Sequence, residues 1–106
     1  MIHESLAAGR WQKMTLAEQM GNVGSEFERA RVWKQKARPD KFEPALARFA
    51  ELMDLTVSDQ RWQGMRRREL ARAKEESLAA LIGEDLQQQS LQDYFLQFAI
   101  LARAKH

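Results

Sequence analysis

At 106 residues, with 44% apolar and 30% charged side chains, the chain has material for one hydrophobic core, which excludes a disordered or multidomain reading. It has no cysteine, so disulfides, thiolate metal sites and cysteine nucleophiles are excluded. Seventeen Lys and Arg nearly balance fifteen Asp and Glu, and the net charge of +2 points to no particular anionic partner.

Residues 1–14 form a lead-in without a clean period, interrupted by Gly9 and anchored by Trp11, ahead of a bundle domain over 15–106. The N-terminus lacks the basic region and apolar run of a secretion signal. Apolar stretches are also far shorter than the roughly 20 residues of a membrane span, so a cytoplasmic protein is expected.

Thr15-Leu16-Ala17-Glu18 reads as a capping box opening the first helix, which runs to about Ala37. Leu16, Met20, Val23, Phe27 and Ala30 recur every three or four residues, the stripe of a helix with one buried face. Gly21 and Gly24 each cost about 1 kcal/mol relative to Ala. With Ala17 and Ser25 they shave one flank down, for a closely packed helix or for a ligand lying against bare backbone.

Arg38-Pro39-Asp40 stops that helix, because a residue before proline is pushed out of the helical region. Asp40-Lys41-Phe42-Glu43 repeats the capping box, and Phe42, Leu46, Phe49, Ala50, Met53 and Val57 carry a second helix to about Thr56 or Ser58. Leu52 and Leu55 widen its apolar face.

Ser58 or Asp59 is expected to cap a third helix, ended at Ile82 by Gly83. Its stripe of Trp62, Leu70, Ala73, Leu78 and Leu81 is poor, with Arg66, Glu69 and Ser77 in or beside it. After a polar connector over 84–89, Ser90-Leu91-Gln92-Asp93 opens a fourth helix to about Ala104. Leu91, Tyr94, Phe95, Phe98 and Ala102 fall on one of its faces and Leu96 and Ile100 on the opposite one. Short connections favour antiparallel neighbours, so the fold expected is an all-α antiparallel bundle of about four helices, up-down-up-down.

Charge near the core side is the first anomaly. Glu26 and Arg29 stand three apart in the first helix, Arg66 and Glu69 stand three apart in the third, and Arg72 borders them. If the two helices pack, these five form one polar network that fixes register or lines a polar pocket.

Catalysis finds little support. The acid–base candidates Glu26, Asp54, Asp59, Glu69 and Tyr94 have no diagnostic spacing, and the two histidines, His3 and His106, lie at the chain ends. No Glu-x-x-His pair or Gly-rich phosphate loop is present, so no catalytic residue, metal or cofactor is assigned.

Two cationic clusters point to a nucleic-acid surface instead. Arg31, Lys34 and Lys36 crowd Trp33, and Arg67 and Arg68 follow Trp62, so cations could neutralise phosphates while an indole stacks a base. Protein association is the competing class and the one favoured. Leu96 and Ile100, with Leu52 and Leu55, exceed what one small bundle hides, and a homodimer is the commonest way to bury such a surface.

The segments LAEQMGNVGSEFERA, LMDLTVSDQRW and LQDYFLQFA resemble a group of small prokaryotic all-helical proteins of unassigned function, over about residues 11–103. The resemblance implies a helical fold and imports no activity. At fold level such bundles are similar to helical partners of nucleotidyltransferases and to RNA-directed toxin modules. The Arg-x4-6-His signature of the nuclease versions is absent. The sequence therefore predicts a non-enzymatic, homodimeric association module, with an RNA- or DNA-binding bundle as the alternative.

Overall fold

A computed structural model describes residues 9–83 and 88–104, so His3, His106, most of the lead-in and connector residues 84–87 lie outside the described part. A 3-10 turn at Trp11–Lys13 precedes α1 (Leu16–Gln35), α2 (Pro39–Val57), α3 (Met65–Ile82) and α4 (Gln88–Ala104), with no strand among the described residues. The all-α antiparallel bundle is as expected. Ordered pairs show the directions. Glu26 meets Arg48 and Trp33 meets Lys41, so α2 runs back along α1. Gly21 faces Ala99, Gly24 faces Phe95 and Glu28 meets Gln92, so α4 does the same. Gln19 meets Trp62 just before α3 and Lys34 meets Ala80 near its end, so α3 runs with α1.

The box at the start of α1 forms in full. Thr15 Oγ1 accepts the Glu18 N–H at 3.1 Å and Glu18 Oε1 accepts the Thr15 N–H at 2.8 Å. The chain leaves α1 through Ala37 at φ 55°, where the Ala37 N–H reaches the Lys34 carbonyl and the Arg38 N–H the Trp33 carbonyl, a Schellman ending built without glycine.

The other expected starts shift. α2 begins at Pro39, whose fixed φ suits the first helical position; Asp40 does not cap, because Arg38 holds its carboxylate with Nε at 3.1 Å and Nη2 at 3.0 Å. α3 begins at Met65 rather than beside Ser58 or Asp59, after a loop that turns at Gly64 with φ 60°. Asp59 is committed to the interior, as described below. α4 begins at Gln88, which puts Ser90 inside the helix.

Phe27, Phe49 and Phe95 bring α1, α2 and α4 together, with ring centroids 5.2 to 6.1 Å apart. Met20, Val23, Met53, Leu70 and Leu81 complete a buried core, and Trp11 closes its end. α3 shows it a narrow face of Leu70, Ala73, Ser77, Ala80 and Leu81, which is why its stripe is weak in the sequence. No helix among the described residues is long and apolar enough to cross a membrane.

Candidate functional site

α4 packs along α1 and turns its opposite side outward. Leu91, Phe95 and Phe98 are buried, whereas Leu96 and Ile100, on the far side of the same helix, remain 51% and 53% exposed, with Leu101 at 49%. Helical geometry separates the two sets: Leu96 and Ile100 are four apart and share one face. Beside them the α1–α4 seam opens into a groove of about 450 Å³ floored by Gly21, Gly24, Phe95 and Ala99 and edged by Leu96. The small flank of α1 thus serves helix approach: a Cβ on Gly24 would lie 2.7 Å from Phe95 Cβ, and one on Gly21 3.6 Å from Ala99 Cα. Gln92 and Glu28 close one end with a hydrogen bond of 3.1 Å.

The wider association surface expected from the sequence does not form. Leu52 is 3% exposed and belongs to the core, and Leu55 packs against it, because α2 is covered by both α1 and α3. Of the four residues expected on that surface, only Leu96 and Ile100 of α4 face outward; the other exposed large apolar side chains among the described residues are Leu101 of α4 and Met65 and Ile82 at the two ends of α3.

The polar network is also corrected. Glu26 is buried and accepts Arg29 at 2.6 Å, as the spacing suggests, but its second partner is Arg48 of α2 at 3.5 Å. Arg66 and Glu69 pair at 3.0 Å on the surface, nearly half exposed, where Tyr94 Oη donates to Glu69 at 2.9 Å. Arg72 is exposed at the rim of the cleft that Glu69 and Tyr94 line. Two separate groups result, since α1 lies chiefly against α2 and α4 and only marginally against α3.

A third polar cluster has no counterpart in the sequence reading. Gln19 is fully buried; its Nε2 donates to the Trp11 carbonyl at 2.8 Å and to Asp59 Oδ2 at 2.9 Å, and its Oε1 accepts the Trp62 indole N–H at 2.8 Å. Trp11 Nε1 donates to Thr56 Oγ1 at 3.1 Å, and that hydroxyl donates to the Leu52 carbonyl at 2.9 Å. Asp59 receives the Arg61 backbone N–H and guanidinium at 2.8 to 3.1 Å. The Arg61 guanidinium holds the Asp59 carboxyl down at about 2, and the Arg61 N–H and Gln19 add to the effect against burial. The cluster ties the lead-in, α1 and the α2–α3 loop together. Its signal was a glutamine on the inner side of α1, three residues after Leu16 and four before Val23.

The cationic candidates are largely engaged. Arg31 is bound to Glu28, which lowers the Glu28 carboxyl below its ordinary range. Lys34 Nζ donates to the Ala80 carbonyl at 3.3 Å and also to the Gly83 carbonyl, supplying positive charge at the α3 C-terminus. Arg67 donates to the Asp59 carbonyl at 2.9 Å, while Arg68 is exposed. Trp62 is half-buried, with its N–H given to Gln19 and the Arg61 guanidinium 4.5 Å from its ring centroid. Trp33 is half-buried, and Lys36, Arg38 and Lys41 lie 5.2 to 5.9 Å from its ring centroid. The Trp33 and Trp62 clusters sit at opposite ends of α1, a helix of about 30 Å at 1.5 Å per residue, and so make no single surface.

Among the described residues no group of three or more His, Asp or Glu could hold a metal ion. Burial first, then the bond to Glu69, pushes the Tyr94 phenol upward, which keeps it a donor rather than a base. The arrangement defines a four-helix protein whose most distinctive outward feature is an apolar helix face beside a shallow groove. Searches of protein-family models, curated proteins and solved structures find no match to the chain.

Proposed function

We propose that this chain is a non-enzymatic association module of the prokaryotic cytoplasm that forms a homodimer through the outward face of α4. One observation carries the reading: Leu96 and Ile100 lie opposite the buried face of α4 and are half exposed, so that helix is apolar on both sides. A helix apolar on both sides is stable in water when a second surface covers it. The groove beside Leu96 supports the reading, because it is a recess along the α1–α4 seam that can receive side chains from a partner.

Sedimentation equilibrium tests it. The native protein is expected as a dimer, and Leu96→Glu or Ile100→Glu as a monomer with unchanged helix content. A native protein that stays monomeric at every concentration would overturn the proposal.

A second reading, binding of RNA or DNA, is favoured by one observation at the Trp33 end. Residues 29–48 carry seven Lys and Arg against two carboxylates, and three of those cations surround Trp33. Such binding should weaken steeply with salt. It should be lost in Lys36→Glu with Lys41→Glu; no retention of an oligonucleotide at low salt removes the reading.

A further inference from the structure

We infer that the second copy docks antiparallel, each Leu96 beside the partner's Ile100 and each Asp93 beside the partner's Arg103. The inference rests on the proposed homodimer and specifies its register.

Asp93, Leu96, Ile100 and Arg103 follow one another on the exposed side of α4 at spacings of three, four and three, the seam of a heptad with Asp93 and Ile100 at one position and Leu96 and Arg103 at the other. A two-fold axis level with Phe98 lies two residues from both Leu96 and Ile100, and five residues from both Asp93 and Arg103. Rotation about it therefore places apolar against apolar at the centre and carboxylate against guanidinium at each end. A parallel pair would instead set each Asp93 against the partner's Asp93 and each Arg103 against the partner's Arg103, and like charges in contact select against that arrangement.

Within the chain these two charges are little used. Asp93 accepts the Gln89 side chain of its own helix at 3.1 Å, Arg103 donates to the Ala99 carbonyl at 3.4 Å, and among the described residues neither joins an ion pair. Ala99, a small residue on the groove side of the seam, lets a second helix come close.

Charge exchange tests the register. At low salt Asp93→Arg and Arg103→Asp should each weaken the dimer by about tenfold or more, because each places two like pairs in contact. The double variant should restore it. The dipole of α4 predicts the reverse order, since the double variant puts a cation nearer the helix start and a carboxylate in its last turn and would be the least stable. Restoration therefore separates contact between copies from an effect within one helix.

Orientation is read independently from spin labels on Gln89→Cys. The antiparallel register places the two labelled positions about 27 Å apart along the helix axis, whereas a parallel pair would hold them at about 10 Å. A short label distance, or a double variant no tighter than the single ones, overturns the register; dissociation by Leu96→Glu would then still support the homodimer. A native monomer overturns both.

Discussion

Gly24 lies directly beneath Phe95, so close that a β-carbon on the glycine would stand 2.7 Å from Phe95 Cβ. That atom is fixed to the α4 backbone and cannot swing away, so α1 and α4 must part to admit a methyl group. Gly24→Ala is expected to destabilise the fold by about 1–3 kcal/mol, despite the helix propensity of alanine. Gly21 provides the control: its added Cβ would meet Ala99 Cα at an ordinary 3.6 Å. Gly21→Ala should stabilise by up to about 1 kcal/mol, and urea denaturation of both variants distinguishes the two sites.

Ala37 holds the left-handed conformation that ends α1, at φ 55°. Its methyl group is a steric penalty that glycine lacks, although glycine loses more freedom on folding. Ala37→Gly is expected to raise stability by about 0.5–1 kcal/mol. A melting temperature unchanged or lowered would contradict the role assigned to this turn.

Asp59 links stability to pH. Its folded value of about 2 lies below the ordinary aspartate value of about 3.9, so the carboxylate stabilises the fold fully above that ordinary value. The contribution fades as pH falls towards the folded value. Asp59→Asn should cost about 2 kcal/mol at neutral pH, through lost charge-assisted bonds to Arg61. The gap between native and variant should shrink between about pH 4 and pH 2, measured by denaturation across that range.

Leu52 and Leu96 look alike in the sequence and should behave oppositely. Leu52→Ala empties a site in the core and should cost about 2–4 kcal/mol. Leu96→Ala, measured in the monomer, should stay within about 0.5 kcal/mol. In the dimer its cost should appear as weaker association, visible when stability is followed against protein concentration.

Helix number, the faces of α1 and α4, the Thr15 box and the break before Pro39 were legible in the sequence. Each depends on residues within a few positions of one another, where the helical period and local capping decide the outcome. The small flank at Gly21 and Gly24 was legible as a close approach, and Phe95 and Ala99 are what approaches. Asp40 misled because a capping pattern states what a side chain can do, not which partner reaches it first, and Ser90 because α4 begins two residues before it.

The buried cluster around Gln19 was not legible, because its partners lie 8 to 43 residues away from it and each looks ordinary alone. The same holds for Lys34, a surface cation by sequence and a donor to the end of α3 by structure. By itself the sequence determined an all-helical chain with an excess of apolar surface on α4, since periodicity is a local property. Tertiary structure alone decided that Leu52 turns inward while Leu96 stays out, and that the cations divide between the two ends, because burial and charge pairing are set by which helices become neighbours.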